Sequence, residues 1–310
     1  MKKTILLYVK GMAMGAVDVV PGFSGGTMAL ITGVYDKLLA SLAAIPQGLA
    51  LFVRGRIREA WAVCNANFLL VLILGVLTSV FTLAKAISYL MDTHPVPLWA
   101  FFFGLVLVSV YLVGREVVLW SWGRLLGLAL GFALAVWITL ASPLQLSAEP
   151  LTLFFAGALA ICAMILPGVS GSFVLVLLGL YPAVLGAVKS LDLAILAVFS
   201  AGCLLGLLSF SRLLSWLLKR LRDLTLAFLT GVILGSLGKV WPWKHTLSWQ
   251  TNSRGESYPL LQENLLPDGY AEVSGHDPQV LLALGLAALA VLLVLGVERL
   301  AVRDAVDSSR

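Results

Sequence analysis

Long apolar runs separated by short polar stretches make up most of this chain, and their lengths predict helices throughout. The first half carries runs at about Thr4–Val20, Phe23–Ile45, Phe68–Leu90, Leu98–Val113 and Trp122–Leu140. The second half carries Leu151–Leu166, Gly168–Val188, Leu193–Leu218, Leu224–Val240 and Val280–Val297. In each half a small polar break parts the first two runs. It reads Pro21-Gly22-Phe23-Ser24-Gly25-Gly26-Thr27 in one and Pro167-Gly168-Val169-Ser170-Gly171-Ser172-Phe173 in the other. At that same offset Gly11 aligns with Gly157, Gly33 with Gly179 and Tyr35 with Tyr181. Further on, Gly75 aligns with Gly202, Lys85 with Arg212, and Gly104 with Gly231; the offset is smaller there because the first half holds an extra basic stretch near 47–65. The chain therefore reads as two repeats, residues 1–145 and 146–310, within one membrane domain, the second interrupted by a polar loop at 241–278.

Composition places these runs in a membrane. Hydrophobic residues make up 60% of the 310 and charged residues only 12%, against roughly 25% charged in soluble domains. The expected class is an all-α polytopic membrane protein. Five runs per half is an odd number, so the two repeats face opposite ways across the bilayer. With the N-terminus in the cytoplasm, the loops at 54–58, 115–124, 219–222 and 299–303 fall inside, and those at 92–97, 142–150 and 241–278 fall outside. The strongly basic loops are then all cytoplasmic, as is the C-terminus. The net charge of +5 reflects this bias and does not imply nucleic acid. No removable signal peptide is expected, and Cys64, Cys162 and Cys203 read as small packing residues without metal-like spacing.

The breaks are the chemical centre of the pattern. Pro21, Gly22, Pro167 and Gly168 stop a helix. Freed backbone groups inside a bilayer are tolerated only where protein or a lined cavity satisfies them. The run before each break is rich in Gly and Ala, which suits a re-entrant hairpin buried among other helices. New half-helices would start at Ser24 and Ser170, and inverted repeats bring two such tips together near the midplane. Ser24, Gly25, Gly26, Thr27, Ser170, Gly171 and Ser172 then offer amides and hydroxyls to an anion, above all phosphate or carboxylate. The plainer alternative is a turn between two full spans. Asp18 is the one carboxylate near a break, opposite the apolar Met164 of the other half. It suits coupling to protons or sodium, or it caps the backbone of its own hairpin. Lys85 and Arg212 occupy matching positions and can supply positive charge to the phosphate, or snorkel. Lys37, Lys189 and Lys239 read as interfacial anchors, and Arg115 with Glu116 as a loop ion pair. No catalytic residue, metal site or cofactor is expected.

The segments Gly11–Thr27 and Ile161–Ser172 resemble the PopT family of bacterial polyprenyl-phosphate transporters, and the resemblance covers nearly the whole chain. It implies a multi-pass protein of the bacterial inner membrane, in contact with membrane lipids. Its partner would be undecaprenyl phosphate, the lipid carrier of envelope glycans, whose phosphate head it would return from the outer to the inner leaflet. The long tail can stay in lipid while only the head crosses. One competing reading is a transporter or channel for a small soluble anion. Another is an undecaprenyl-pyrophosphate phosphatase of the bacitracin-resistance type. That enzyme carries an arginine after the motif serine and a paired-glutamate motif; here Gly25 and Gly171 follow the serines, and no Glu-x-x-x-Glu lies in an apolar run.

Overall fold

A computed structural model describes residues 2–18, 24–141, 144–251 and 257–307. Pro21 and Gly22 of the first break lie outside the described residues. The first half begins with α1 (Lys2–Asp18) and α2 (Gly25–Ile31), then α3 (Tyr35–Ala43), α4 (Ile45–Val53) and α5 (Ile57–Val63). The long helices α6 (Ala66–Thr93), α7 (Pro95–Gly114) and α8 (Trp122–Leu140) follow. The second half repeats the plan with α9 (Pro150–Ile165), α10 (Gly171–Leu177), α11 (Tyr181–Ser190), α12 (Leu193–Arg220) and α13 (Arg222–Ser236). An antiparallel hairpin, β1 (Lys244–Thr251) and β2 (Ser257–Asn264), then leads through α14 (Pro267–Ser274) to α15 (Val280–Asp307). Among the described residues five helices are long and apolar enough to cross a membrane, or up to seven if each bent pair is one span. The protein is an all-helical polytopic membrane protein apart from that small hairpin.

The run after each break is not one helix. α2 and α10 last only seven residues each before a turn at Gly33 (φ 70°) or Gly179 (φ 71°). Glycine adopts this left-handed conformation without a Cβ penalty. Crossed bonds close both helices in the same way: Val34 N–H donates to the Ala29 carbonyl and Leu180 N–H to the Leu175 carbonyl, both at 2.9 Å. In the second half the following helix α11 leaves α10 at 113°. Hydrophobicity continues through both turns, so the apolar pattern alone merges what glycine separates.

Each broken pair doubles back on itself. Gly25 N–H reaches the Asp18 carboxylate, and the Lys10 ammonium reaches the Thr32 carbonyl, so α2 runs antiparallel to α1. In the second half α10 lies antiparallel along α9, with Gly171 against Ala160 and Leu175 in one cluster with Leu153 and Ala156. The longer helices then pair in one scheme: α1 on α6 and α9 on α12 within the halves, α8 on α13 and α7 on α15 between them. A glycine sits at each crossing. A Cβ on Gly75 would run into the Tyr8 carbonyl, on Gly202 into that of Phe154, on Gly231 into that of Leu128 and on Gly104 into that of Ala287. Without a hydrophobic drive between helices in lipid, such close backbone approach is what holds them together.

The two ends of the bundle differ in chemistry. At one end Arg222 pairs with Asp36 (3.0 Å) and Glu116 (2.9 Å), Arg124 with Asp223 (3.1 Å), and Arg115 with Glu298. Glu116 thus serves Arg222 rather than its neighbour Arg115. These links join the stretches at 115–124, 219–222 and 298 that the charge pattern assigned to one side. At the other end the stretch at 241–278 is structured rather than a plain connector. Trp243 packs with Val96, Ala100 and Ala283, and its indole N–H donates to the Pro278 carbonyl at 2.8 Å. Trp241 donates to the Leu265 carbonyl at 2.8 Å. These two indoles belong to one packed cluster at this end.

The glycine crossings give a direct test. Gly202→Val should lose about 3 kcal/mol of stability through overpacking. Gly123→Ala, on α8 with open space around it, should be neutral or gain up to about 1 kcal/mol. Thermal unfolding of the purified variants in detergent reads both.

Candidate functional site

The two breaks meet. Ser24 is buried, accepts the Gly26 N–H at 3.1 Å and donates to the Met164 carbonyl at 3.0 Å. Thr27 is buried, and its hydroxyl oxygen accepts the Gly168 N–H at 2.8 Å. Tyr35, also buried, donates its hydroxyl to the Ile165 carbonyl at 3.0 Å. So three side chains of the first half satisfy backbone groups that the proline and glycine of the second break release. Each such bond is worth about 1 kcal/mol net, and about 1–3 kcal/mol is lost when a buried partner is left alone. The contact is close: a Cβ on Gly26 would sit 2.9 Å from the Ile165 carbonyl oxygen, and one on Gly168 2.9 Å from the Ser236 hydroxyl of α13.

The two tips are not equivalent. In the first, the described residues 24–27 are bonded within their own hairpin. The Asp18 carboxylate accepts the Gly25 N–H at 2.6 Å, Ser24 takes Gly26, and the Ser24 carbonyl takes the Thr27 N–H at 2.9 Å. Asp18 therefore caps its own hairpin here, and a Cβ on Gly25 would touch its carboxylate oxygen at 2.5 Å. The second tip is open. Position 173 is Phe where the first half has Thr27. Among the described residues no side chain caps α10, and the Ser170 and Ser172 hydroxyls bond to each other at 2.9 Å. A small pocket opens here between Gly168, Ser170, Phe173, Thr139 and Lys239. The Lys239 ammonium lies 3.4 Å from the centre of the Phe173 ring, in cation–π contact.

Lys239 was legible only as an interfacial anchor, because its sequence neighbours say nothing of α10. The one available signal is its pairing with Lys244, since the loop that follows has few other cations. Lys244 donates to the Lys239 carbonyl at 2.5 Å and stacks 3.7 Å over Trp99. Burial, and second the charge of Lys239, push the Lys244 ammonium down to about 7. Lys85 and Arg212 are placed elsewhere. Lys85 stands exposed on α6, and Arg212 is exposed on α12 with its guanidinium 3.4 Å from the Ala43 carbonyl. Among the described residues neither bonds to a residue of either break. No cluster of His, Cys, Asp or Glu able to hold a metal ion occurs among the described residues.

Comparison with known proteins identifies the family. Residues 14–258 match the model of the VCA0040-like family, described as undecaprenyl phosphate translocase-like. The chain belongs to this family. It is 53% identical over 295 residues to a polyprenyl-phosphate transporter of Vibrio cholerae serotype O1, covering 95% of this chain and 96% of that protein. It is 33% identical over 252 residues to a polyprenyl-phosphate transporter of Staphylococcus aureus, covering 76% of this chain and 85% of that one. No solved structure gives a significant match. The matched region contains both breaks and the Lys239–Lys244 pair, and both relatives are named as transporters.

The link between the breaks can be cut at one atom. Thr27→Val keeps the shape of the side chain but leaves the Gly168 N–H without its acceptor, which should cost about 1–3 kcal/mol. Thr27→Ser should restore most of it. Unfolding temperatures of the two variants, compared with wild type, decide whether this bond holds the tips together.

Proposed function

We propose that this protein moves polyprenyl phosphate across the bacterial cytoplasmic membrane, returning undecaprenyl phosphate from the outer to the inner leaflet. The observation that carries the reading is the second tip, where Ser170 lines a small pocket with Lys239 and Ser172 bonds to the Ser170 hydroxyl. A phosphate monoester is a strong acceptor. Two hydroxyl donors and an ammonium offset part of the cost of taking its charge out of water. Gly171 keeps α10 close to α9, and Ser24 and Thr27 hold the backbone of the second break in place.

In this reading the two halves are inverted repeats, and rocking of one against the other exposes the head-group site to each leaflet in turn. The ion-paired end, with both chain termini, faces the cytoplasm, and the tryptophan cluster faces outward, in keeping with the basic loops. The isoprenoid tail stays in lipid. Asp18 couples the cycle to protons or sodium by exchanging its Gly25 amide for the ion. Asp18→Ala is then expected to abolish dependence on an ion gradient.

Transbilayer movement of a fluorescent polyprenyl phosphate in liposomes holding the purified protein is the test. Ser170→Ala/Ser172→Ala and Lys239→Gln should each slow it about tenfold or more, which corresponds to about 1.4 kcal/mol of barrier. Lys85→Ala/Arg212→Ala shows whether those matching cations also serve the head group. Acceleration of inorganic phosphate flux with no effect on the lipid would instead establish the small-anion reading.

A further inference from the structure

The two hairpins differ at their open ends as well as at their tips. In the second half the chain leading into α9 fills that end. Leu144 N–H donates to the Leu177 carbonyl at 2.6 Å and Leu146 N–H to the Leu178 carbonyl at 3.3 Å. A Cβ on Gly179 would run into the Leu144 carbonyl. In the first half the residue equivalent to Leu178 is Thr32, and its carbonyl accepts a side chain instead, the Lys10 ammonium at 2.6 Å. Gly33 has nothing within 4 Å of where a Cβ would be. The space is a cleft of about 710 Å³, within the roughly 300–1,000 Å³ typical of small-molecule sites.

The lining of that cleft has two characters. Lys3, Lys10 and Lys37 bring three positive charges, and among the described residues no carboxylate lines it. Asp36, next to Lys37, is engaged by Arg222 at 3.0 Å on the other side. Leu7, Phe68 and Leu70 give an apolar wall, and Lys37 lies 4.8 Å from the centre of the Phe68 ring. A cleft lined by one sign of charge concentrates the opposite ion. Three cations suit a phosphate monoester, near two negative charges at neutral pH, better than the single charge of a phosphodiester. The apolar wall suits the first isoprene units of a tail.

We propose that this cleft is a second head-group station, binding the phosphate monoester of a lipid at the end of the protein opposite Lys239. The proposal rests on the transporter reading above and adds to it a separate site. α2 joins the two stations. Its seven residues span roughly 10 Å. Its first turn is bonded to Gly168 at the second break through Thr27, and its closing turn brings Val34 to the cleft wall. A shift of the second tip therefore moves the cleft through one rigid, short element.

The test is photo-crosslinking of the full chain in nanodiscs with a benzophenone-tagged farnesyl phosphate, the adducts mapped by peptide mass spectrometry. Labelling of α1 and α6 peptides that unlabelled farnesyl phosphate competes away is the expected result. It should fall about tenfold in Lys10→Gln/Lys37→Gln, return in Lys10→Arg/Lys37→Arg, and persist in Lys239→Gln. Competed labelling confined to peptides around Ser170 and Lys239 would overturn the second station and leave the transporter reading standing. Competed labelling nowhere would remove both. Displacement by inorganic phosphate as effective as by farnesyl phosphate would make the cleft a soluble-phosphate site, and equal displacement by farnesol would make it a tail groove; either overturns the proposal.

Discussion

Everything in this protein depends on how backbone polar groups released inside an apolar bundle find partners. Proline and glycine at the second break leave the carbonyls of Met164 and Ile165 and the amide of Gly168 outside the helical ladder. Ser24, Tyr35 and Thr27 supply the missing partners from the other half of the chain. In water such groups could be solvated. In a bilayer each would cost several kcal/mol if left alone. The two halves are therefore held in register at their most constrained point by three side chains, and neither break is independent of the other.

That bond set also makes the two tips different. A symmetric duplication would close both tips or open both. Here the first half has a threonine at position 27, which can accept a hydrogen bond, and the second has Phe173 in its place. The first half has Asp18 to cap its own hairpin, and the second has the apolar Met164. One tip therefore satisfies itself and its neighbour, and in the other the two serine hydroxyls bond to each other. The open ends are reversed: the chain at 144–146 occupies the second hairpin, and the first is left to lysines. The two hairpins thus differ at both ends of α2.

Close helix packing makes this arrangement stiff enough to act. Glycines at the crossings of α1 with α6, α9 with α12, α8 with α13 and α7 with α15 bring backbones into contact. The pairs exchanged between halves mean that a displacement in one half has to be matched in the other. Surface ion pairs such as Arg222 with Asp36 and Glu116 are worth about 1 kcal/mol or less each. They mark one end of the bundle chemically more than they hold it.

The sequence by itself determined the membrane-embedded helical class, the duplication, the location of the second break and the glycines of the crossings. All of these are written in local composition and in a fixed offset between similar stretches. It also named the serines and Asp18 as candidates, because few polar residues interrupt the apolar runs. Only the tertiary structure decided which tip is open, since that depends on Thr27 reaching Gly168 across 141 residues of chain. It also decided that Lys239 borders the pocket while Lys85 and Arg212 stand exposed, and that Trp241 and Trp243 belong to one packed cluster. A lysine at a helix end looks the same in sequence whether it reaches lipid headgroups or a neighbouring helix. The turns at Gly33 and Gly179 were hidden for a related reason: hydrophobicity reports burial, and burial continues through a turn that only backbone geometry reveals.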